Sequence, residues 1–126
     1  MREDVPSLTA VYVAFMRALA SQDRELSQAC SDPSALALLP RALRPLVEGA
    51  RGSALAGNIA RRVTFGLEDH IALRTGLIDA ALEHAMVDHH DHPERPSVEQ
   101  VVLLGAGFDA RAHRLKSLSR LSLIHI

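Results

Sequence analysis

Apolar residues recur with the period of an α-helix from residue 7 to about residue 88. In the first segment they stand three and four positions apart, the spacing that places side chains on one helix face. These positions are Val11, Ala14, Phe15, Ala18 and Leu19. Ser7 and Thr9 precede them and are residues that cap helix N-termini. The pattern predicts a first helix that ends near Ser21.

Two further helix signals follow before residue 60. Asp32 directly precedes Pro33, which combines a capping residue with the helix position that accepts proline. Pro40 limits this helix to about two turns. The next segment contains glycines at positions 49, 52 and 57. It therefore predicts, between residues 41 and 58, a helical stretch interrupted by a turn.

The longest helical pattern runs from about Ile59 to Met86. At about 100° per residue, its apolar residues fall within one stripe roughly 100° wide, the face expected to meet the core. The residues of this stripe are Val63, Leu67, Ile71, Ile78, Ala81, Leu82 and Ala85. The acidic residues Glu68, Asp69, Asp79 and Glu83 fall outside it.

Arg74 lies near the middle of this apolar stripe. An unpaired buried guanidinium costs several kcal/mol, so the position predicts an anionic partner. The partner is either a ligand carboxylate, which the planar fork of arginine binds with two hydrogen bonds, or an internal acid such as Asp79. The helical pattern alone leaves both alternatives open.

Residues 88–96 form a polar stretch that includes two prolines and predicts a linker. The stretch begins Asp88-His89-His90-Asp91-His92. Zinc sites use spaced pairs of ligands, which this run lacks, so we expect solvated histidines and no metal site.

The chain changes character after this linker. Residues 101–104 form a continuous apolar run, which is typical of a strand buried on both faces in a parallel sheet. A glycine turn follows at residues 105–107, and the pattern from Asp109 to about Ser119 predicts a helix that exposes Arg111, Arg114 and Lys116.

The Gly-x-Gly turn is the motif most closely tied to chemistry. Gly105 permits a tight turn, Gly107 lets a ligand approach the backbone, and Ala110 allows close packing of helix and strand. Dinucleotide-dependent (NAD or FAD) oxidoreductases and S-adenosylmethionine-dependent methyltransferases share this geometry. The oxidoreductase motif usually opens its domain, whereas 104 residues precede it here. Two alternatives without catalysis are a ligand-free turn and a helical interaction module.

Composition narrows the class of protein further. The 126 residues include 14 Lys and Arg against 15 Asp and Glu, a net charge of -1, and only 3% aromatic residues. We therefore expect no nucleic-acid partner. No apolar run reaches the ~18 residues of a membrane span, and no signal peptide is evident. The single cysteine, Cys30, is expected to be a buried hydrophobe in a cytoplasmic protein.

The last six residues, Leu121-Ser122-Leu123-Ile124-His125-Ile126, have an unusual coding property. The DNA sequence CTG TCT CTT ATA CAC ATC encodes this hexapeptide and is the end of a common transposase-based sequencing adapter. We therefore expect the native reading to stop near Arg120 and residues 121–126 to be an adapter scar. The alternative is a genuine apolar strand. In either case a single parallel strand lacks neighbours, which predicts an incomplete domain.

Several segments together resemble the S-adenosylmethionine-dependent methyltransferases related to leucine carboxyl methyltransferase, whose paralogues are abundant in actinobacteria. The resemblance covers about residues 7–115. It is carried by residues 7–10 (SLTA), 17–18 (RA), 31–33 (SDP), 73–79 (LRTGLID) and 101–115 (VVLLGAGFDARAHRL). The last two segments, in that order and spacing, are the specific ones.

The resemblance implies an α/β fold that begins with an N-terminal helical cap, residues 1–96. Residues 97–120 then form the first strand, turn and helix of a truncated, Rossmann-like class I methyltransferase sheet. The family's acidic residue at the end of the second strand, which holds the cofactor ribose, has no counterpart in this chain. We therefore expect an N-terminal fragment with little activity and weak or absent cofactor binding by itself.

The resemblance also implies S-adenosyl-L-methionine as the cofactor and assigns residues to its amino-acid end. Arg74 holds the methionyl carboxylate, and Asp79 positions the helix that carries Arg74. The residues expected around the methionine moiety are Gly105, Ala106, Gly107, Phe108 and Asp109.

The implied reaction is in-line transfer of a methyl group to an oxygen of a small molecule, either a carboxylate or a hydroxyl. Such catalysis depends mainly on the alignment of acceptor and methyl group. No residue of this chain is assigned as a general base, and the catalytic residues stay unassigned.

Overall fold

The structure, a computed structural model, describes residues 7–51, 53–91, 98–104 and 108–125. Over these residues the chain is mainly helical and contains a two-stranded parallel sheet, which agrees with the predicted α/β class. It divides into two compact units, Met1–Gly76 and Leu77–Ile126. The predicted cap, residues 1–96, includes all of the first unit and part of the second.

The first unit contains five helices before the long helix α6 begins. They are α1 (Leu8–Ala20), α2 (Leu26–Ala29), α3 (Pro33–Leu38), α4 (Arg44–Gly49) and α5 (Ala54–Val63). The predicted end of α1 near Ser21 is confirmed. Asp32 caps α3 as predicted, because its Oδ1 accepts a hydrogen bond of 3.2 Å from the Ala35 N–H. The interrupted helical stretch predicted between residues 41 and 58 is α4 and the start of α5.

Helix α1 is the centre of the first unit and packs against α3 and α4. Ala14, Ala18 and Leu19 of its predicted apolar face are buried. The same helix also buries Arg17, which forms an ion pair of 3.2 Å with Asp32. Both of these side chains are almost fully excluded from solvent, at 6% and 0% exposure.

A second core cluster of this unit consists of Ala20, Leu26, Cys30 and Ala72. Cys30 is 1% exposed, so its expected role as a small buried hydrophobe is confirmed.

The single long helix predicted from Ile59 to Met86 is wrong, because a turn separates α5 from α6 (Leu67–Asp91). Phe65 and Gly66 both have positive φ, at 53° and 75°. The Gly66 N–H bonds the Arg61 carbonyl at 3.0 Å and the Phe65 N–H bonds that of Arg62 at 3.4 Å. This is the Schellman pattern that ends helices, with phenylalanine where glycine is usual.

The buried face of α6 also differs from the predicted stripe. The helix buries Glu68, Ile71, Ala72, Thr75 and Asp79, of which only Ile71 was on the predicted stripe. Val63 is 72% exposed and Ala81 and Ala85 are exposed. The turn at residues 64–66 breaks the helical phase that the stripe assumed. Buried ionic contacts, which hydrophobic periodicity does not detect, then determine which face is inward.

The predicted linker begins later than expected, since α6 continues to Asp91. The prolines that justified the linker come after this point, and a run of aspartate and histidine does not by itself end a helix. Residues 92–97 lie outside the described part of the chain.

The second unit pairs β1 (Gln100–Leu103) in parallel with β2 (Ser122–His125), with Val101 opposite Leu123. The predicted strand is confirmed, but Val102 and Leu104 are 44% and 77% exposed, so it is not buried on both faces. In the described residues, the sheet has no further strand to bring a second layer over that side.

The helix predicted from Asp109 to Ser119 is shorter and divided. Helix α7 covers Arg111–Arg114, Leu115 is extended, and a 3₁₀ helix covers Lys116–Arg120. Leu115 and Leu118 still meet Val101 in the core of this unit, with Leu82, Val98 and Leu123 packed around them. The extended backbone of Leu115 interrupts the helix, and with this interruption both Leu115 and Leu118 lie in the core.

Candidate functional site

Arg74 lies on the part of α6 that belongs to the first unit, and its side chain is exposed. The prediction of a buried guanidinium in an apolar stripe is therefore wrong. The expected internal ion pair is absent as well, because Asp79 bonds other arginines and no described residue forms an ion pair with Arg74. Leu73 and Leu77 beside it are also exposed, at 59% and 72%.

The predicted glycine loop is only partly within the described residues. Gly105, Ala106 and Gly107 lie outside them. Phe108 and Asp109, which follow directly, are half-buried in the second unit, and Ala110 is buried as its packing role requires.

The polar centre of the second unit is a network of two acids and two arginines. Arg111 Nε donates a hydrogen bond of 2.7 Å to Asp79 Oδ1, and Arg114 Nη1 donates one of 2.6 Å to Asp79 Oδ2. Arg111 also bonds Asp109 twice, through its backbone N–H at 2.9 Å to Oδ1 and through Nη1 to Oδ2. We call these four residues the Asp79 network.

The Asp79 network is shielded from solvent, since its four side chains are only 9–12% exposed. Its formal charges cancel, and ion pairs at such depth need close geometry to offset the loss of hydration. The predicted exposure of Arg111 and Arg114 is wrong, because both guanidinium groups form ion pairs with buried carboxylates, whereas Lys116 is exposed as predicted. The expectation that Asp79 positions the Arg74 helix stays a prediction.

The sequence analysis missed Glu68, a buried acid in the first turn of α6. Glu68 is 2% exposed, and its Oε2 has no hydrogen-bond partner within the described residues. The pKa of Glu68 is raised to about 7, mainly by burial and also by the nearby charges of Asp69 and Asp23, with Arg61 acting in the opposite direction. Arg61 itself contacts three other acids, Asp23, Glu25 and Asp69, at 3.3–3.5 Å.

The described residues contain neither a cluster of metal-binding side chains nor a membrane-spanning helix. Residues 7–51, 53–91, 98–104 and 108–125 contain no group of three His, Cys, Asp or Glu side chains arranged to hold a metal ion. In the same residues, no helix combines the length and hydrophobicity that crossing a membrane requires.

The described elements thus define an α/β chain in which a parallel strand leads, through a glycine motif, into a buried ionic network. A family comparison is more specific: the profile described as leucine carboxyl methyltransferase matches residues 10–126. The chain belongs to this family. Membership decides between the two enzyme classes that shared the Gly-x-Gly geometry and confirms the resemblance drawn from residues 73–79 and 101–115.

Relatives in two mycobacteria agree with this assignment. Proteins of a Mycobacterium bovis BCG strain and of a Mycobacterium tuberculosis strain, both named provisionally as S-adenosyl-L-methionine-dependent methyltransferases, are each 33% identical over 109 residues. The match covers 85% of this chain and 34% of each relative. The chain therefore spans about a third of the length of the curated relatives it matches. No solved structure matches the chain significantly.

Proposed function

We propose that this chain is the N-terminal part of an S-adenosylmethionine-dependent methyltransferase that methylates an oxygen, carboxylate or hydroxyl, of a small molecule. The observation that carries the proposal is the family match over residues 10–126, which includes both the Arg74 segment and the glycine loop. In this proposal residues 97–120 begin a Rossmann-like cofactor domain and residues 1–96 form a cap over it. The proposal includes a cytoplasmic location, which the single buried cysteine supports because it suits a reducing compartment.

The donor chemistry of Arg74 fits the cofactor's amino-acid end. Its guanidinium is exposed, and no described carboxylate neutralises it, so it is available to bind a ligand carboxylate. Arginine is suited to this task because its planar fork forms two parallel hydrogen bonds to a carboxylate. We assign Arg74 to the methionyl carboxylate and Gly105, Ala106, Gly107, Phe108 and Asp109 to the loop around the methionine moiety.

The bound cofactor supplies an electrophilic methyl group on a sulfonium. The task of the protein is then to orient the acceptor oxygen and exclude water, which lowers the barrier through alignment. The chain assigns no general base to this step. A carboxylate acceptor needs none, because it is already ionised at neutral pH.

Substitution of Arg74 tests the proposal. We expect Arg74→Ala to weaken S-adenosylhomocysteine binding about tenfold or more, since hydrogen bonds to charged groups contribute about 1.5–3 kcal/mol. Isothermal titration of the full-length protein, of which this chain is the proposed N-terminal part, measures this affinity. Arg62→Ala is the matched control, because Arg62 is also an exposed arginine on a helix of the first unit.

The two outcomes are distinct. An Arg74→Ala protein that keeps wild-type affinity contradicts the assignment of Arg74, and a wild-type protein that binds no S-adenosylhomocysteine contradicts the proposed function. The 126-residue chain, titrated alongside, is expected to bind weakly or not at all.

A further inference from the structure

Among the described residues, both oxygens of the Asp109 carboxylate are bonded by one neighbour, Arg111. Its Oδ1 accepts the Arg111 backbone N–H at 2.9 Å, and its Oδ2 accepts Arg111 Nη1. The Asp109 side chain is 10% exposed. A carboxylate whose two oxygens are both occupied and whose charge is paired is a poor ligand for an incoming group.

Arg111 does not act alone, because its third bond leads to another element. Its Nε donates to Asp79 Oδ1 at 2.7 Å, and Asp79 lies on α6, 32 positions earlier in the chain. Arg114 donates to the second oxygen of Asp79. Two arginines thus tie the segment after the glycine motif to α6, and in the described residues Arg111 is the one that bonds both Asp79 and Asp109.

We propose that Arg111 is a positioning residue for Phe108 and Asp109, the two described residues that follow the Gly-x-Gly motif, and that it fixes them by bridging Asp109 and Asp79. Asp109 is then an anchor for this segment, and its carboxylate is not a cofactor ligand. The link to a cofactor rests on the proposed function, whereas the anchoring itself concerns this chain alone.

Lysine is the informative substitution at position 111. Arg111→Lys keeps the positive charge but loses the fork that reaches Asp79 and Asp109 at once. The matched control is Arg17→Lys, because Arg17 is an equally buried arginine, 5% against 8% exposed, and pairs with Asp32 in the other unit.

The first measurement is amide hydrogen exchange in the 126-residue chain without ligand. We expect Arg111→Lys and Asp79→Asn to raise the exchange rates of residues 108–112 about tenfold, whereas Arg17→Lys leaves these rates unchanged. Unchanged rates at residues 108–112 in both network variants overturn the proposal. This readout requires no cofactor and remains decisive if the full protein binds none.

The second measurement is a double-mutant cycle on S-adenosylhomocysteine affinity in the proposed full-length protein. If Asp109 acts only as an anchor, Arg111→Lys and Asp109→Asn each weaken binding by a similar factor, about tenfold. The double variant is then no weaker than either single one. Two results overturn the proposal. In one, the double variant loses affinity by the product of the two single losses; in the other, Asp109→Asn weakens binding and Arg111→Lys does not. Either result shows that the Asp109 carboxylate binds the cofactor directly. Absence of binding in the wild-type protein contradicts only the proposed function.

Discussion

Glu68 shows how a single buried side chain makes the stability of the fold depend on pH. Its pKa is about 7 in the folded chain, whereas a glutamate in an unfolded chain titrates near pH 4.5. Between these values the folded protein binds a proton that the unfolded protein lacks. Stability due to this group is therefore complete below about pH 4.5 and is lost as the pH rises through 7.

We predict that Glu68→Gln removes this loss. Glutamine has nearly the same shape and no charge to desolvate, so the variant should exceed the wild type in stability by about 2 kcal/mol at pH 8. At pH 5 the two proteins should differ little. Urea unfolding followed by circular dichroism at both pH values measures the difference.

Glu83→Gln is the control for this prediction, because Glu83 is an exposed acid on the same helix. A Glu68→Gln protein that is equally stable or less stable at pH 8 contradicts the prediction. It would indicate that the ionised carboxylate of Glu68 is stabilised in the fold.

Individual residues were predictable where the cause is local. The cap formed by Asp32 depends on a neighbour three positions away, and it was predicted correctly. Arg17 with Asp32, and Arg111 with Asp79, depend on partners distant in sequence, and neither pair was predicted. Hydrophobic periodicity carries no information about ionic partners. It therefore placed Arg111, Asp79 and Glu68 outside, although they are buried, and it placed Arg74 inside, although it is exposed.

At the scale of elements, the largest error of prediction is the turn between α5 and α6, where the sequence pattern predicted one continuous helix. Gly66 was the available signal, but an isolated glycine within a helical pattern is often tolerated. Phe65 gives no signal at all, since a bulky residue at positive φ is uncommon. The turn separates Val63 from the helix that carries the rest of the predicted stripe. Within α6 the buried face coincides with the stripe only at Ile71, and Arg74 is exposed.

The contact between α2 and α6 depends on Gly76. A Cβ atom built at this position would lie 2.1 Å from the carbonyl oxygen of Ala29, which is far inside contact distance. The obstacle is backbone at the end of α2, so no side-chain rotation relieves it. The absence of a side chain at Gly76 therefore allows the two helices to approach.

We predict that Gly76→Ala destabilises the protein by about 2 kcal/mol, the size of a moderate overpacking effect. Helix propensity alone gives the opposite sign, because alanine is favoured over glycine in a helix by about 1 kcal/mol. Thermal unfolding measures the change. Gly49→Ala in α4 is the control, since its added Cβ meets nothing within 4 Å. A stabilised Gly76→Ala protein contradicts the close approach.

At the scale of the whole molecule, the order of elements was largely predictable and their packing was not. The helices, the parallel strand after them and a helix after the strand are present because each has a local pattern, although the last helix is shorter than predicted and divided. The strand's predicted burial on both faces assumed a complete sheet, whereas β1 pairs with β2 alone in the described residues. Of the candidate site, the sequence identified its segments, and the structure added the ionic network that joins two of them.

The pairing of β2 does not depend on the origin of residues 121–126. Without β2, the backbone N–H and C=O groups along this edge of β1 would lack partners. Any following segment that is rich in leucine and isoleucine is able to pair with such an edge. Leu121 and Leu123 pack against the core cluster of Val101, Leu115 and Leu118. A segment of this composition satisfies both requirements whether it is native or derived from an adapter.

The coding sequence therefore decides the question, and we predict that adapter-free genomic DNA departs from this chain after codon 120. The reading frame should continue, with an acidic residue about 20 positions beyond Gly105 to hold the cofactor ribose. Sequencing an amplicon across codon 120 measures this directly, and the identity of codons 101–120 is its internal control. Genomic codons for Leu121 to Ile126 followed by a stop contradict the prediction. They would also make β2 a native strand and leave the chain without the ribose-binding half of the site.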